Sequence, residues 1–378
     1  MLLLIFIIVD ILLILTMAFT PYVTRKTEVF GVSLPANERG NLDLKKLCAS
    51  YRNISIIIGA VFFGIQILLA GFEADEMRQV FILTLGVIIY IGVSFAIYFI
   101  YHKRMRAFKE NQVWHSYGRA DAKAEVAGEP VLIADTDPAG NESPSALWLL
   151  LYPVIAIITI IIFFAIWPNL PEQIPIHSDI NGVIDGWALK SESSFATILW
   201  PQWLLLGIFA LTYLMIRISK RQIDAANPSA SRDQGRRFRK ISSGLMILLG
   251  AIVSALMGAT MIFMMIGINP NIVMILPLLI LAICIVLVVV LYVYVGQGGS
   301  RLQTKEKSPA SSDKTSIDDD RYWIAGIIYF NKKDPSFIIE KRFGIGWTFN
   351  FAHPAGIAIG IGIIAIIVWV IWFTANMA

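Results

Sequence analysis

Cysteine, histidine and charged residues are all scarce in this chain. It has two cysteines and four histidines among 378 residues, and Asp, Glu, Lys and Arg together make up 15%. Two cysteines cannot build a disulfide framework, and Cys48 falls in a predicted cytoplasmic loop whereas Cys284 falls inside an apolar segment. Hydrophobic residues reach 57% of the chain. A soluble domain of this length does not have such a composition.

The usual catalytic sequence signatures are missing as well. The chain has no H-E-x-x-H, no G-x-S-x-G and no G-x-x-x-x-G-K segment, so the common zinc-protease, serine-hydrolase and phosphate-loop arrangements have no support. We expect neither enzymatic activity nor a cofactor. The weakest alternative is a membrane-bound hydrolase that uses His177 and Asp185 as acid and base.

Long apolar runs are the dominant feature of what is present. A hydrocarbon core of about 30 Å needs roughly 20 apolar residues in a helix, and eight segments meet this condition. The sequence therefore predicts an all-α polytopic membrane protein of about eight spans, with a small external hairpin loop and a small cytoplasmic β-hairpin domain. The predicted spans are 1–20, 54–72, 80–101, 147–167, 195–216, 242–266, 272–295 and 355–373.

The 31 Lys and Arg residues predict the orientation of these spans. Loops rich in Lys and Arg stay in the cytoplasm, and four alternate loops hold six, six, eight and nine of them, which leaves only Arg78 and Lys190 on the other side. Both termini are then outside. The first span has no basic residue before it and is followed by Arg25 and Lys26, so we expect a retained helix rather than a signal peptide. The net charge of +4 reflects this bias and indicates lipid headgroups, not nucleic acid, as partners.

Five segments follow along the chain. Residues 1–146 form three spans with two cytoplasmic loops, 147–216 a two-span unit with an external loop, and 217–296 a basic loop with a two-span hairpin. Residues 297–354 form a cytoplasmic linker and hairpin domain, and 355–378 hold the last span. Residues 120–145 and 297–316 have the composition of flexible tethers. Residues 42–51 have helical spacing and are expected along the inner membrane surface.

The external loop between spans four and five contains a cluster of polar residues. Asn181-Gly182 and Asp185-Gly186 can both supply tight turns, which would bring His177, Asp179 and Asp185 together. Trp187 can serve as an anchor at the membrane interface. His177 could be hydrogen-bonded within a structural turn, contact an external peptide or ligand directly, or bind a metal. No metal is predicted, because the other three histidines are expected on the opposite side and one imidazole with carboxylates is a poor ligand set for zinc.

This loop resembles the domain of unknown function that is shared by bacterial membrane proteins including the immunity protein against the sporulation-delaying toxin. The departures are Ser178, where an aromatic residue usually stands, and Ile184, where a proline is common. The resemblance implies an immunity or envelope-stress role and an extracellular peptide partner. The residues that carry the resemblance are Leu170, Pro171, Pro175, His177, Asp179, Gly182, Asp185, Trp187 and Lys190.

A second motif, at 318–350, resembles another small domain of unknown function that often accompanies the first. Residues 324–330 and 337–340 have the pattern of two strands with 331–335 as their turn, and the acidic triplet 318–320 is expected to be solvated. A cytoplasmic regulator is the expected partner of this surface. The motif residues are Asp319, Tyr322, Trp323, Asn331, Lys341, Arg342, Gly344, Gly346, Trp347 and Asn350.

Two polar residues lie within predicted spans. Asp10 stands in the middle of the first span, where an ionised carboxylate is costly. It could hold a proton or an ion, or it could be hydrogen-bonded inside the bundle, with Gln66 as a possible partner. A lone aspartate does not provide the pair that aspartic proteolysis needs. The small residues Gly250, Ser254 and Gly258 recur every fourth position and predict close helix packing.

The sequence as a whole favours a non-enzymatic integral membrane protein for peptide-toxin immunity or envelope-stress sensing through the external loop. The alternative is a transporter or proton-coupled permease that uses Asp10. Against the alternative, the spans show few polar residues that could line a path and no inverted repeat of interrupted helices.

Overall fold

The computed structural model describes residues 2–25, 27–73, 75–112, 143–178, 183–220, 228–303, 319–344 and 346–377. The predicted site residues Asp179, Asn181 and Gly182 lie outside these ranges, as do most residues of both predicted tethers.

Long helices account for most of the described chain. Seven of them, α1 to α7, are long and apolar enough to cross a membrane, which indicates a lipid bilayer environment. The eighth predicted segment forms α8, which is not among the seven, so the count of eight stays a prediction. The helices are α1 (Leu2–Val23), α2 (Leu42–Gly71), α3 (Glu76–Glu110), α4 (Leu151–Ile166), α5 (Glu192–Ile218), α6 (Pro228–Met265), α7 (Pro270–Val295) and α8 (Pro354–Met377).

Helix α2 begins earlier than the sequence predicted. The Asn41 side chain accepts a hydrogen bond from the Asp43 N–H (2.9 Å) and caps its start. The buried face then runs without a break from Leu44 through Tyr51 to Ala70. The prediction of a separate surface helix at 42–51 is therefore wrong, because the same apolar stripe continues into the span.

Four two-stranded antiparallel sheets complete the described fold. Each is a hairpin of strands that are adjacent in the chain. The strands are β1 (Glu28–Val29), β2 (Val32–Ser33), β3 (Gln173–Ser178), β4 (Ile184–Leu189), β5 (Trp323–Ile324), β6 (Ile328–Tyr329), β7 (Ile338–Glu340) and β8 (Trp347–Phe349).

The predicted strand pairing in the C-terminal motif is wrong. Instead of one hairpin across 331–335, β5 pairs with β6 and β7 pairs with β8. Gly326 adopts a φ of +72°, which breaks the expected strand 324–330 into two short pieces around a turn. The β7 strand finds its partner later in the chain, at Trp347–Phe349.

The chain divides into two compact units. Residues 137–218 and 236–294 form one, here named the hairpin unit, and residues 2–136, 219–235 and 295–378 form the other, here named the motif unit. In the hairpin unit, Gln202 donates to the Ser254 carbonyl (3.0 Å), and a side chain at Gly258 would collide with Thr159. The packing role predicted for the small residues of α6 is confirmed.

The motif unit has its core where the β1–β2 loop meets α2 and α3. Phe30 is fully buried there, together with Tyr51, Tyr101 and Met105. The Phe30 ring lies edge-on to Tyr51 with their centroids 5.0 Å apart. An aromatic cluster of this kind attaches a loop firmly to the ends of two helices.

Candidate functional site

The β3–β4 hairpin stands on a buried base in the hairpin unit. Ile174 is fully buried in a cluster with Phe163, Leu170 and Met265. The Lys190 ammonium group donates to the Leu170 carbonyl (2.9 Å) and lies 5.6 Å from the centre of the Trp167 ring. The two ends of the hairpin are therefore held against α4, and the hairpin has a defined position.

His177 and Asp185 meet across this hairpin, as the sequence predicted. The His177 Nδ1 and Asp185 Oδ1 atoms are 2.5 Å apart, and both side chains are exposed. Gly186 pairs with His177 in an irregular part of the register. A Cβ atom at Gly186 would come within 2.6 Å of His177 Cβ, so only glycine leaves room for the pair.

One face of β4 and the residue before it is largely apolar and exposed. Successive strand residues point to opposite faces, and Ile184, Gly186 and Ala188 are half-buried. Val183, Asp185, Trp187 and Leu189 form the other face, here named the exposed stripe; Trp187 is 52% and Leu189 70% exposed. This stripe offers an aromatic ring, two aliphatic chains and a carboxylate to a partner.

Neither hairpin residues nor other described residues form a metal centre. Within the described ranges, no three His, Cys, Asp or Glu side chains lie close enough together to hold a metal ion. The His177–Asp185 pair can accept and donate hydrogen bonds. Its chemistry suits recognition of a polar group beside the apolar part of the stripe.

The intramembrane pair that the sequence suggested does not form. Gln66 donates instead to the Leu83 carbonyl (2.8 Å). Asp10 is only 2% exposed, and in the described part of the chain neither of its carboxylate oxygens has a hydrogen-bond partner. The expectation of Gln66 as the Asp10 partner is therefore wrong, and the carboxyl group is left buried by itself.

A buried guanidinium organises the C-terminal motif. Arg342 is 2% exposed and pairs with both Asp319 and Asp320, while its guanidinium carbon lies 5.1 Å from the centre of the Trp323 ring. The Lys109 ammonium group also binds Asp320 (2.7 Å). The expectation of a solvated acidic segment is wrong for Asp319 and Asp320, because cations from α3 and from the motif itself compensate them.

A second polar cluster lies at the other end of the motif. The fully buried Asn350 amide donates to the carbonyls of Asn331 (2.9 Å) and Asp334 (3.0 Å). Asp334 accepts from Lys220 (2.6 Å) and from the Tyr329 hydroxyl (2.8 Å). Burial alone raises the pKa of Asp334, but the hydrogen bonds from Lys220, Ser336 and Tyr329 outweigh it and hold the pKa below its ordinary value.

The remaining motif residues shape the backbone around these clusters. Gly346 has a φ of +101° and exchanges two hydrogen bonds with the buried Gln297 side chain (2.9 and 3.0 Å), so the start of the second predicted tether is ordered. Gly344 has a φ of +85°. Burial lowers the pKa of Lys341. Two further aromatic residues of the motif, Tyr322 and Trp347, are half-buried.

Sequence reasoning missed the residues that join the segment between α1 and α2, here named the first loop, to this motif. Arg25 pairs with the buried Glu340, and Tyr98 donates to the carbonyls of Phe30 (3.1 Å) and Ala325 (2.8 Å). These partners stand up to 315 positions apart in the chain. No local pattern could have identified them, because the partners are so far apart in the sequence.

Comparison with protein families matches two short parts of the chain. The apolar helices define the class as a multi-pass helical membrane protein. Residues 154–200, which include the hairpin, match a domain of unknown function (DUF1648), and residues 332–357 match a family of unknown function (DUF5808). Both predicted domains of unknown function are thereby confirmed. No curated protein and no solved structure matches the chain.

Proposed function

We propose that this protein recognises an extracellular apolar peptide through the exposed stripe of the β3–β4 hairpin, in peptide-toxin immunity or envelope-stress sensing. The Lys and Arg distribution supports an external position for the hairpin. The observation that carries the proposal is the exposure of Trp187 and Leu189 on a hairpin whose base is fixed by Ile174 and Lys190.

The shape of the hairpin suits a peptide better than a small molecule. A two-stranded sheet can accept a further extended chain along a strand edge, with alternate side chains contacting one face. Tryptophan, with tyrosine and arginine, is enriched among the residues that dominate binding energy at protein interfaces. The His177–Asp185 pair supplies a polar contact that fixes the register of an otherwise apolar partner.

The motif unit fits the other half of a sensing role. On the orientation predicted from charge, the Arg342 cluster faces the cytoplasm. It ties the first loop, α3 and the 319–350 motif into one body. A body of this kind offers a defined cytoplasmic surface to a regulator.

A survival assay tests the proposal. Cells that lack the gene are exposed to membrane-active apolar peptide toxins and complemented with the wild type or with a Trp187→Ala, Leu189→Ala variant. Removing a dominant aromatic contact of about 2 kcal/mol should weaken protection roughly 30-fold in toxin concentration. The same loss is expected of a His177→Ala, Asp185→Ala variant if the pair sets the register.

The chain offers a closely matched control. Trp148 and Leu150 have the same residue types at the same spacing, and each is 57% exposed, but they precede α4 and are not part of the stripe. A Trp148→Ala, Leu150→Ala variant should protect fully. Full protection by the stripe variant, or equal loss in both variants, would contradict peptide recognition at the hairpin.

The orientation has its own test. In a chain without Cys48 and Cys284, single cysteines replace the exposed residues Glu172 and Lys332, and intact cells are treated with an impermeant thiol reagent. We expect labelling of Glu172→Cys and none of Lys332→Cys. The reverse pattern would place the hairpin inside and remove the basis for an extracellular partner.

A further inference from the structure

The interior of the motif unit contains more polar groups than its apolar sequence suggests. Polar residues recur at every fourth position of α3, and all four are buried. They are here named the polar stripe: Tyr90, Ser94, Tyr98 and His102. Residues four apart lie on the same helix face, about 6 Å apart along the axis. The stripe ends at His102, whose Nδ1 atom lies 2.8 Å from the Phe30 carbonyl oxygen of the first loop.

The other end of the stripe lies close to the level of Asp10. A Cβ atom at Gly59 would have Ile14 Cγ1 at 2.6 Å and the Tyr90 hydroxyl at 2.8 Å, so α1, α2 and α3 meet at this glycine. Ile14 is four residues from Asp10 and therefore one turn away on the same face of α1. Measured along the helix axis, Asp10 thus lies within about one helical turn of the Tyr90 hydroxyl group.

No charge from the packed helices compensates this carboxyl group. Asp10 is the one charged residue of α1, and neither α2 from 53 to 71 nor α3 from 79 to 101 contains a charged residue or a histidine. The nearest charged residues along those helices are Arg52 and Arg78. The titratable groups on the buried faces of α2 and α3 are Cys48, Tyr51, Tyr90, Tyr98, Tyr101, His102 and Lys109. The two basic ones, His102 and Lys109, stand 12 and 19 positions beyond Tyr90 in the chain.

A carboxylate in this position would need a positive partner. Ionised groups without a partner are very costly in an apolar interior, and the described residues offer Asp10 neither a cation nor a hydrogen-bond donor. A bound proton removes the charge without requiring any donor. A larger cation would need several oxygen ligands, and the Gln66 amide is turned to α3, where its nitrogen binds the Leu83 carbonyl and its oxygen lies against Gly86.

We propose that Asp10 is a proton-binding site and that the Tyr90, Ser94, Tyr98 and His102 stripe is the route by which the proton exchanges with water beside the first loop. On release, the O–H bond of the Asp10 carboxylic acid breaks, the carboxylate remains, and the proton passes to water. Water molecules can bridge polar groups that are too far apart for a direct hydrogen bond. The site does not depend on peptide recognition at the hairpin.

Infrared spectroscopy of the full-length protein in lipid nanodiscs tests the site. The wild type should show the C=O stretching band of an isolated carboxylic acid at neutral pH, and Asp10→Asn should remove it. The control variant Asp43→Asn changes an exposed aspartate that pairs with Lys46, and it should leave the band in place. A wild type without this band, a band that survives Asp10→Asn, or a band that disappears when potassium is replaced by sodium would overturn the proposal.

Deuterium exchange of the same band tests the route. Tyr90→Phe should slow exchange about tenfold, which corresponds to about 1.4 kcal/mol in the barrier, whereas Tyr152→Phe in the hairpin unit should not change the rate. An unchanged rate in Tyr90→Phe would overturn the route.

A stability measurement separates this role from a structural one. Asp10→Leu should unfold at the same temperature as the wild type or higher, because it replaces a buried carboxyl group that has no partner. A marked fall in the unfolding temperature would show that Asp10 has a structural partner and would overturn the proposal.

Discussion

Replacing the buried Arg342 with methionine should destabilise the motif unit. The guanidinium group bonds Asp319 and Asp320 and donates to the Gly31 carbonyl (3.3 Å). Methionine fills a similar volume but provides no positive charge and no donors. Lys109 then still binds Asp320 (2.7 Å), whereas Asp319 loses its contact with the guanidinium group.

The size of the effect follows from the burial of the three groups. Breaking a buried ion pair by removing one partner costs about 3–5 kcal/mol, because the remaining charge is left uncompensated. The Arg342 side chain is 2% exposed, but those of Asp319 and Asp320 are 34% and 25% exposed, so water can solvate them in part. Loss of the contact with the Trp323 ring adds about 0.5–1 kcal/mol. We expect a net loss of about 2–4 kcal/mol by the same reasoning.

A double-mutant cycle provides the assay. The free energy of unfolding in mixed detergent is measured for the wild type, Arg342→Met, Asp320→Leu and the double variant, and the coupling between the two sites should exceed about 1 kcal/mol. Lys46→Met is the matched control, because its pair with Asp43 is exposed on both sides and such pairs contribute about 0–1 kcal/mol. If Arg342→Met costs no more than Lys46→Met, the claim that this cluster holds the motif unit together is refuted.

Three further predictions follow from single contacts. Gly186→Ala should cost about 1–3 kcal/mol of unfolding free energy and separate the His177–Asp185 pair, since the new methyl group would overlap His177; an unchanged unfolding temperature would contradict this. The folded-state pKa of Asp334 is lowered from 3.8, so its contribution to stability is present above pH 3.8 and is lost as pH falls through the lower value. Asp334→Asn should flatten this acid dependence of the unfolding temperature in thermal scans. An unaltered dependence would show that Lys220 does not bind Asp334 in solution. If the protein is a proton-coupled permease, pH-dependent flux in reconstituted vesicles should vanish in Asp10→Asn, and unchanged flux would eliminate this alternative.

Local patterns were sufficient for the parts of the fold that depend on neighbouring residues. The apolar runs identified the long helices, since a helix satisfies its backbone within one segment. The spacing of Gly250, Ser254 and Gly258 identified a packing face because helix periodicity is local. The His177–Asp185 contact was also predictable, because only eight residues and turn-forming dipeptides separate the pair.

The failures have a common physical origin. The run 324–330 has strand composition, but a positive φ at Gly326 divides it, and β7 pairs with a strand formed after a second glycine-containing turn. Asp319 and Asp320 looked solvated because their cations, Lys109 and Arg342, are distant in the chain. Gln66 looked like a partner for Asp10, but it binds a carbonyl oxygen on α3.

The sequence by itself determined that this is a helical membrane protein with two small domains of unknown function, and that a histidine and an aspartate meet in one loop. Those properties depend on hydropathy, periodicity and turn chemistry, which act over a few residues. Only the tertiary structure decided that Asp10 has no hydrogen-bond partner among the described residues and that the polar stripe on α3 lies inside the motif unit. The energy of a buried charge depends on which groups the fold brings within a few ångströms, and sequence order does not set those distances.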